Sequence, residues 1–125
     1  MSGPDPGVYP MELFEIRTED VHDAILIHVH GEVDLATAPT LQDALRSAIQ
    51  SGRHVVVNLA EVTYFDLSGF RVLVEAKDAL GERQALAVSG STPLVHKVID
   101  IMQLGTLLPV AHTLPEALDL VRSHG

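Results

Sequence analysis

The sequence predicts a single α/β domain whose mixed, mostly parallel sheet has about five strands and about four helices, in the order ββαβαβαβα. Chain length is the first reason, because 125 residues supply one core and are too few for two comfortable domains. The second is that short apolar runs alternate with segments whose apolar residues recur at helical spacing. Repeated strand–helix–strand units need right-handed crossovers onto a parallel core, and an opening hairpin supplies an antiparallel edge.

The domain is predicted to span residues 11–125 and to begin with this hairpin. Residues 1–10 precede it, and two Pro and two Gly among the first seven residues favour a mobile tail. Phe14 and Ile16 alternate with polar neighbours, and a second alternating set follows over Ile25–His30. These segments predict half-buried strands that pair antiparallel.

The middle of the chain is predicted to form helix, strand and helix. Pro39 near the start and Gly52 just past the end frame an amphipathic helix. Its apolar stripe consists of Leu41, Ala44, Leu45, Ala48 and Ile49. The apolar run His54–Leu59 then predicts a strand buried on both faces, as parallel sheets require. A second helix should run from about Leu67 to Leu80, with Gly81 as its C′ residue.

The last third of the chain predicts two strands and two helices. Ala85–Val88 is the next strand, and Thr92–Pro93 opens a helix with Leu94, Val98, Ile101 and Met102 on one stripe. Leu107–Val110 is a short strand whose Pro indicates a sheet edge. Thr113–Glu116 forms a capping box, and Leu114, Leu118 and Val121 mark the inner face of the last helix.

Composition excludes several classes of partner. The formal net charge of −9 opposes binding to a phosphate backbone, so we expect no nucleic acid and favour a basic protein surface. The absence of Cys fits a reducing compartment. There is no signal-peptide pattern and no apolar run near the roughly 20 residues of a membrane span, so we expect a soluble, cytoplasmic protein that does not bind membranes. Nothing resembles a glycine-rich phosphate loop, and we expect no cofactor.

Two acidic segments are expected at the carboxyl ends of the parallel strands, where open α/β sheets bind their ligands. In Val62–Phe70 an apolar run ends at Asp66, which can cap a helix whose first turn contains Ser68. The segment Gly31–Asp34 follows the second strand. A helix N-terminus also favours a phosphate or an acidic partner group.

The same two segments resemble the STAS domain family. Residues 31–39 read Gly-Glu-Val-Asp-Leu-Ala-Thr-Ala-Pro and resemble the opening G-E-x-D-x-x-T-A-P of that family. Residues 58–69 read Asn-Leu-Ala-Glu-Val-Thr-Tyr-Phe-Asp-Leu-Ser-Gly and resemble its signature D-L-S-x-V-x-x-x-D-S-S/T-G. The resemblance covers about Glu12 to Val121 and is closest to bacterial anti-sigma factor antagonists.

The resemblance implies a protein that regulates transcription by partner switching. Such an antagonist binds an anti-sigma factor, usually a serine kinase with a histidine-kinase-like ATPase fold, and thereby frees a sigma factor. In the family, phosphorylation of the Ser directly after the motif Asp blocks this binding. Within binding functions, the alternative is a STAS accessory subunit of a transport or sensory complex.

The chain departs from the family pattern at the phosphorylation site. Leu67 stands where the acceptor Ser is expected, and Ser68 occupies the second hydroxyl position. Either Ser68 is an alternative acceptor, or the protein cannot be switched in this way. We favour the second, because one residue along a helix turns a side chain by about 100°. Asn58 in place of the usual Asp keeps the shape and loses a charge.

The predicted partner-binding site combines both segments and has local structural alternatives. It consists of Asp34, Asp66, Leu67, Ser68, Gly69 and Phe70. Asp66 could serve only as an N-cap, Ser68 could be structural, and Asp34 could cap the first helix or close a loop. The apolar residues Tyr64, Phe65, Leu67 and Phe70 surround Asp66 and cannot all face inward, which favours a protein-binding surface.

The sequence lacks the residue patterns that catalysis or metal binding would require. The segment around Ser68 lacks the first Gly of a nucleophile elbow, and no His is placed by sequence to act as its base, so we expect no enzyme. His28 and His30 share one face of a strand and could form half of a metal site. No third ligand follows at a telling spacing, so we predict a solvated strand face and no metal.

Overall fold

A computed structural model of the chain describes residues 14–90, 93 and 108–123. The strands are β1 (Glu15–Val21), β2 (Ala24–Val33), β3 (His54–Phe65), β4 (Leu86–Ser89) and β5 (Val110–Ala111). The helices within the described ranges are α1 (Ala38–Gln50), α2 (Leu67–Asp78) and α3 (Leu114–Arg122). The predicted tail over residues 1–10, and the predicted helix after Thr92 apart from Pro93, lie outside the described residues.

The five strands form one mixed sheet in the order β1-β2-β3-β4-β5. β1 pairs antiparallel with β2, and every other pairing is parallel. This confirms the predicted hairpin and parallel core. β5 lies at the edge of the sheet, as predicted for the last strand, but the predicted bounds Leu107–Val110 are wrong, because the strand is Val110–Ala111 and Pro109 precedes it. The Pro109 carbonyl still accepts a hydrogen bond from the Val88 amide at 2.9 Å.

The sheet carries helices on both faces. α1 and α2 cover one face and enclose the larger core, whereas α3 covers the other face around Leu26, Val56 and Ala87. Val55, Val56 and Val57 of β3 are all fully buried, which confirms the prediction of a strand covered on both faces. None of the helices in the described ranges is long and apolar enough to cross a membrane.

Helix ends show where local sequence signals were sufficient and where they failed. Gly52 follows α1 with a φ of +82°, as predicted for a glycine at a helix end. The prediction that Gly81 is the C′ residue of α2 is wrong, because α2 ends at Asp78 and Ala79 keeps a right-handed conformation. Gly81 belongs to the following turn, where its amide donates to Oε1 of the buried Gln84 at 2.9 Å.

The capping box before α3 forms with one change of partner. The Glu116 amide donates to Thr113 Oγ1 at 3.2 Å, as the pattern predicts. The return bond to Glu116 Oε2 comes from the His112 amide, also at 3.2 Å. Within α3, Ala117 and Val121 are buried, and the predicted Leu114 and Leu118 pack partly buried beside them.

Candidate partner-binding site

The two acidic segments meet at one end of the sheet, as predicted. β2 and β3 are parallel, and their final residues Val33 and Phe65 are partners in the register. The Asp66 amide donates to the Val33 carbonyl at 3.2 Å, which ties the two strand ends together. Asp34 and Asp66 each follow one of these paired residues, so both lie at this end of the sheet, which we call the edge of the site.

Asp34 organises the loop between β2 and α1. Its Oδ1 accepts hydrogen bonds from the amides of Ala36 and Thr37 at 2.9 and 3.0 Å. In return, the Thr37 hydroxyl accepts from the Asp34 amide at 2.9 Å and donates to the Glu32 carbonyl at 2.8 Å. The N-cap position of α1 is Thr37, which makes no side-chain cap bond. Of the two structural alternatives for Asp34, the structure therefore selects loop closure.

Asp66 is the N-cap of α2. Its backbone is extended, with φ −109° and ψ −172°, and its Oδ1 accepts from the Ser68 amide at 2.8 Å. Its carbonyl accepts from the amides of Gly69 and Phe70 at 3.1 and 3.3 Å. These bonds satisfy donors that the first turn of a helix otherwise leaves open.

Gly69 and Phe70 hold the start of α2 against the sheet. Phe70 is 2% exposed and packs edge-on against Phe65, with ring centroids 4.5 Å apart. A Cβ at Gly69 would lie 2.7 Å from two ring carbons of Phe65 and 2.8 Å from Val33 Cγ1. The expectation that these two residues touch a partner directly is corrected accordingly, because they are buried beneath the edge.

Of the four apolar residues around Asp66, two face inward and two outward. Phe65 and Phe70 are in the core, whereas Tyr64 is 45% and Leu67 61% exposed. The structure adds Leu35, which is 79% exposed and which sequence reasoning missed. The sequence held one signal for it, which is an apolar residue inside a loop closed by the Asp34 side chain.

An open groove of about 490 Å³ lies between α1 and α2 at this edge. Leu35 and Pro39 line it from one side, and Leu67, Ser68 and Arg71 from the other. Ser68 is half-buried, so its side chain belongs to the wall of the groove. No histidine is among the described residues that line it.

His28 and His30 lie on a different part of the sheet. His28 Nε2 is 3.0 Å from Glu19 Oε1, and its Nδ1 is 3.0 Å from Asn58 Nδ2. Asn58 Oδ1 accepts from the Ala60 amide at 3.0 Å. Asn58 thus joins two strands without a charge. In the part of the chain that the structure describes, no three His, Asp or Glu side chains are grouped to hold a metal ion.

Comparison with known proteins agrees with this architecture. A family model described as "Mlab, STAS domain" matches residues 16–109. The anti-sigma-B factor antagonist of Listeria monocytogenes is 33% identical over 98 residues, which cover 77% of this chain and 85% of that protein. The antagonist of the same name from Staphylococcus epidermidis is 34% identical over 97 residues, covering 76% and 90%. The crystal structure of an anti-sigma factor antagonist from Mycobacterium paratuberculosis has a TM-score of 0.83 at 26% identity, covering 88% of this chain and 95% of that one.

The mixed sheet, the capped start of α2 and the family match together define a STAS domain protein, and the chain belongs to the STAS domain family. Within that family, the similar proteins described above are anti-sigma factor antagonists. The resemblance inferred from residues 31–39 and 58–69 is confirmed.

Proposed function

We propose that this chain is an anti-sigma factor antagonist that binds an anti-sigma factor at the edge formed by the β2–α1 loop and the start of α2. The distribution of exposed apolar side chains carries this proposal. Among the described residues, four large apolar side chains are exposed, and Leu35, Tyr64 and Leu67 lie at this edge. Clustered exposed apolar residues mark protein-binding surfaces, whereas scattered ones do not. Binding here frees a sigma factor.

The proposed activity is binding without chemistry. The groove beside Ser68 is open, and its described lining includes no histidine that could activate the hydroxyl. Binding alone is also the role given by the names of the similar proteins, which are anti-sigma factor antagonists. By family resemblance, its partner is a serine-kinase type of anti-sigma factor with an ATPase fold, and both act in the cytoplasm.

We further propose that the chain is not switched by phosphorylation at the family position. Leu67 occupies that position and is exposed, but it carries no hydroxyl. Ser68 is half-buried, and its amide is held by the Asp66 cap. Its side chain leaves the helix about 100° away from that of Leu67. A kinase that addresses the exposed position would therefore not present its phosphate to Ser68.

Intact-mass spectrometry after incubation with the cognate kinase and ATP tests this property. The parent should remain unmodified, and Leu67→Ser should gain one phosphate that Leu67→Ala does not. Each phosphate adds about −1.5 to −2 charges beside Asp66, so the modified variant should lose its partner. A phosphate on the parent that disappears in Ser68→Ala would make Ser68 the acceptor and end the proposal of a constitutive antagonist.

The binding function has its own test. A pull-down from the native cell should recover an anti-sigma factor, and the purified pair should bind directly. Ser68→Glu should weaken that binding more than tenfold because it places a new charge in the contact. Ser47→Glu is the matched control, since Ser47 is exposed on α1 and does not line the groove. Recovery of a membrane transporter would instead favour the accessory-subunit alternative.

A further inference from the structure

The charged groups of the edge have unequal freedom to bind a partner. In both Asp34 and Asp66, one carboxylate oxygen already accepts hydrogen bonds from nearby backbone amides. Arg71 lines the groove, is exposed, and has no ion-pair partner among the described residues. Glu75, one turn further along α2, also lines the groove and is likewise unpaired in the described part. The α2 side of the groove thus presents a cation followed, one turn later, by an anion.

The groove continues along the two helices. A second stretch of about 290 Å³ shares Gln42, Val72 and Glu75 with the first and extends past Ile49 and Ala79. α1 has 13 residues, which corresponds to a length of about 20 Å at 1.5 Å per residue. The space is therefore elongated, with Leu35 and Leu67 at one end and a mixed lining further along. The apolar part of that lining includes Leu45, Ile49 and Ala76, and its α1 side also carries Arg46, which lies 3.9 Å from Asp43.

We propose that the anti-sigma factor seats an amphipathic helix in this groove, with apolar side chains against Leu35 and Leu67, a carboxylate opposite Arg71 and a cation opposite Glu75. This inference rests on the proposed function and specifies the chemistry of the partner surface. Leu35, Leu67 and Arg71 are then the residues that determine specificity. Asp34 and Asp66 shape the edge on which they stand.

A helix fits these features better than an extended segment. Arg71 and Glu75 are four residues apart on α2, and side chains at that spacing are neighbours about 5–6 Å apart. A partner helix offers an acid and a base at the same spacing, and it can lie in the furrow between two packed helices. A second copy of this chain could also match Arg71 with Glu75, but each copy carries a net charge of −9, which opposes self-association.

Titration of the full-length chain with each purified anti-sigma factor of the same genome, by isothermal calorimetry, tests the inference. Leu35→Ala and Leu67→Ala should each weaken binding about tenfold, as expected for apolar anchors. Leu120→Ala is the matched control, because Leu120 is 43% exposed on α3, which covers the other face of the sheet. Its affinity should stay within twofold of the parent.

Charge reversal tests the polarity of the groove. The double variant Arg71→Glu with Glu75→Arg keeps the net charge and should weaken binding about tenfold or more, while Arg83→Glu, at an exposed loop residue, should not. Exchanging the acid and base of the partner helix should restore the affinity of the reversed variant. Because these positions are exposed, circular dichroism should show an unchanged fold.

The outcomes separate this inference from the function on which it rests. If an anti-sigma factor binds the parent and the Leu35→Ala, Leu67→Ala double variant equally, the groove is not the docking site, although the function stands. If no anti-sigma factor binds the parent, the proposed function itself is wrong. If light scattering shows a dimer of the parent that Leu67→Ala converts to a monomer, a second copy is the occupant and the helix inference falls.

Discussion

Gly69→Ala tests whether Gly69 serves packing at the start of α2. In an ordinary helix this substitution is stabilising by about 1 kcal/mol, because Ala has the higher helix propensity. Here the new methyl would stand 2.7 Å from two ring carbons of Phe65 and 2.8 Å from Val33 Cγ1. Both neighbours are buried, and the Phe65 ring is held edge-on by Phe70, so neither can swing away without disturbing the core.

The packing cost should exceed the gain in propensity. Overpacking a well-filled core typically costs about 1–3 kcal/mol, and three contacts below normal separation argue for the upper part of that range. Subtracting the propensity gain leaves a loss of about 1–2 kcal/mol in the free energy of unfolding. For a chain of this length, that corresponds to a fall in Tm of roughly 4–8 °C.

Urea unfolding followed by circular dichroism at 222 nm measures this loss. Ser47→Ala, at an exposed position of α1, is the control for helix propensity and should be neutral or slightly stabilising. In a Phe65→Leu background, the penalty of Gly69→Ala should shrink, since the two closest ring atoms are removed. A Gly69→Ala protein as stable as the parent, or an equal penalty in both backgrounds, would refute the packing explanation.

Three further predictions concern acidic side chains. Asp66→Ala should lower the free energy of unfolding by about 0.5–2 kcal/mol, whereas Asp66→Asn keeps an oxygen that can accept the cap hydrogen bond. Calorimetry measures melting and partner binding separately for both variants. If Asp66→Ala melts at the same temperature as the parent, the cap bond does not stabilise the fold. Asp34→Asn retains the turn acceptor but should weaken partner binding and reduce its salt dependence, and unchanged binding across a salt series would exclude Asp34 from the interface. Arg122 Nε donates to Asp23 Oδ1 at 3.0 Å and lowers the pKa of that carboxyl. The pair therefore stabilises the folded state at neutral pH, and this contribution is lost as the pH falls below about 4. Asp23→Asn should remove that contribution from the acid-unfolding profile.

The fold was largely readable from the sequence because its signals are local and repeated. Alternation predicted the hairpin, and the helical stripe predicted α1 between Pro39 and Gly52. The predicted end of α2 is wrong, because a glycine that follows a helix can serve a later turn and not the helix cap. Gly81 instead serves the turn that buries Gln84, whose Nε2 donates to the carbonyls of Ile49 and Arg53 at 2.9 and 2.7 Å. That contact is tertiary and leaves no periodic trace.

The site was only half readable, because the direction of a side chain at a helix start depends on tertiary packing. Leu67 and Phe70 lie about 60° apart around a helix, so periodicity alone assigns them to one face. In the structure Phe70 packs on Phe65, whereas Leu67, the first residue of α2, stays exposed. Leu35 carried no periodic signal because it lies in a loop.

The chemistry of carboxylates explains why the acids were conspicuous in sequence while other residues carry the proposed specificity. A loop that closes in a few residues, and a helix that starts beside a strand end, both leave backbone amides without partners. Asp34 and Asp66 accept from those amides, so their spacing is set by backbone geometry. The side chains directly after them accept no hydrogen bonds from these amides. Leu35 and Leu67 occupy these positions, and their side chains can differ without altering the turn or the cap. An edge built this way can keep one shape while presenting different surfaces to different partners.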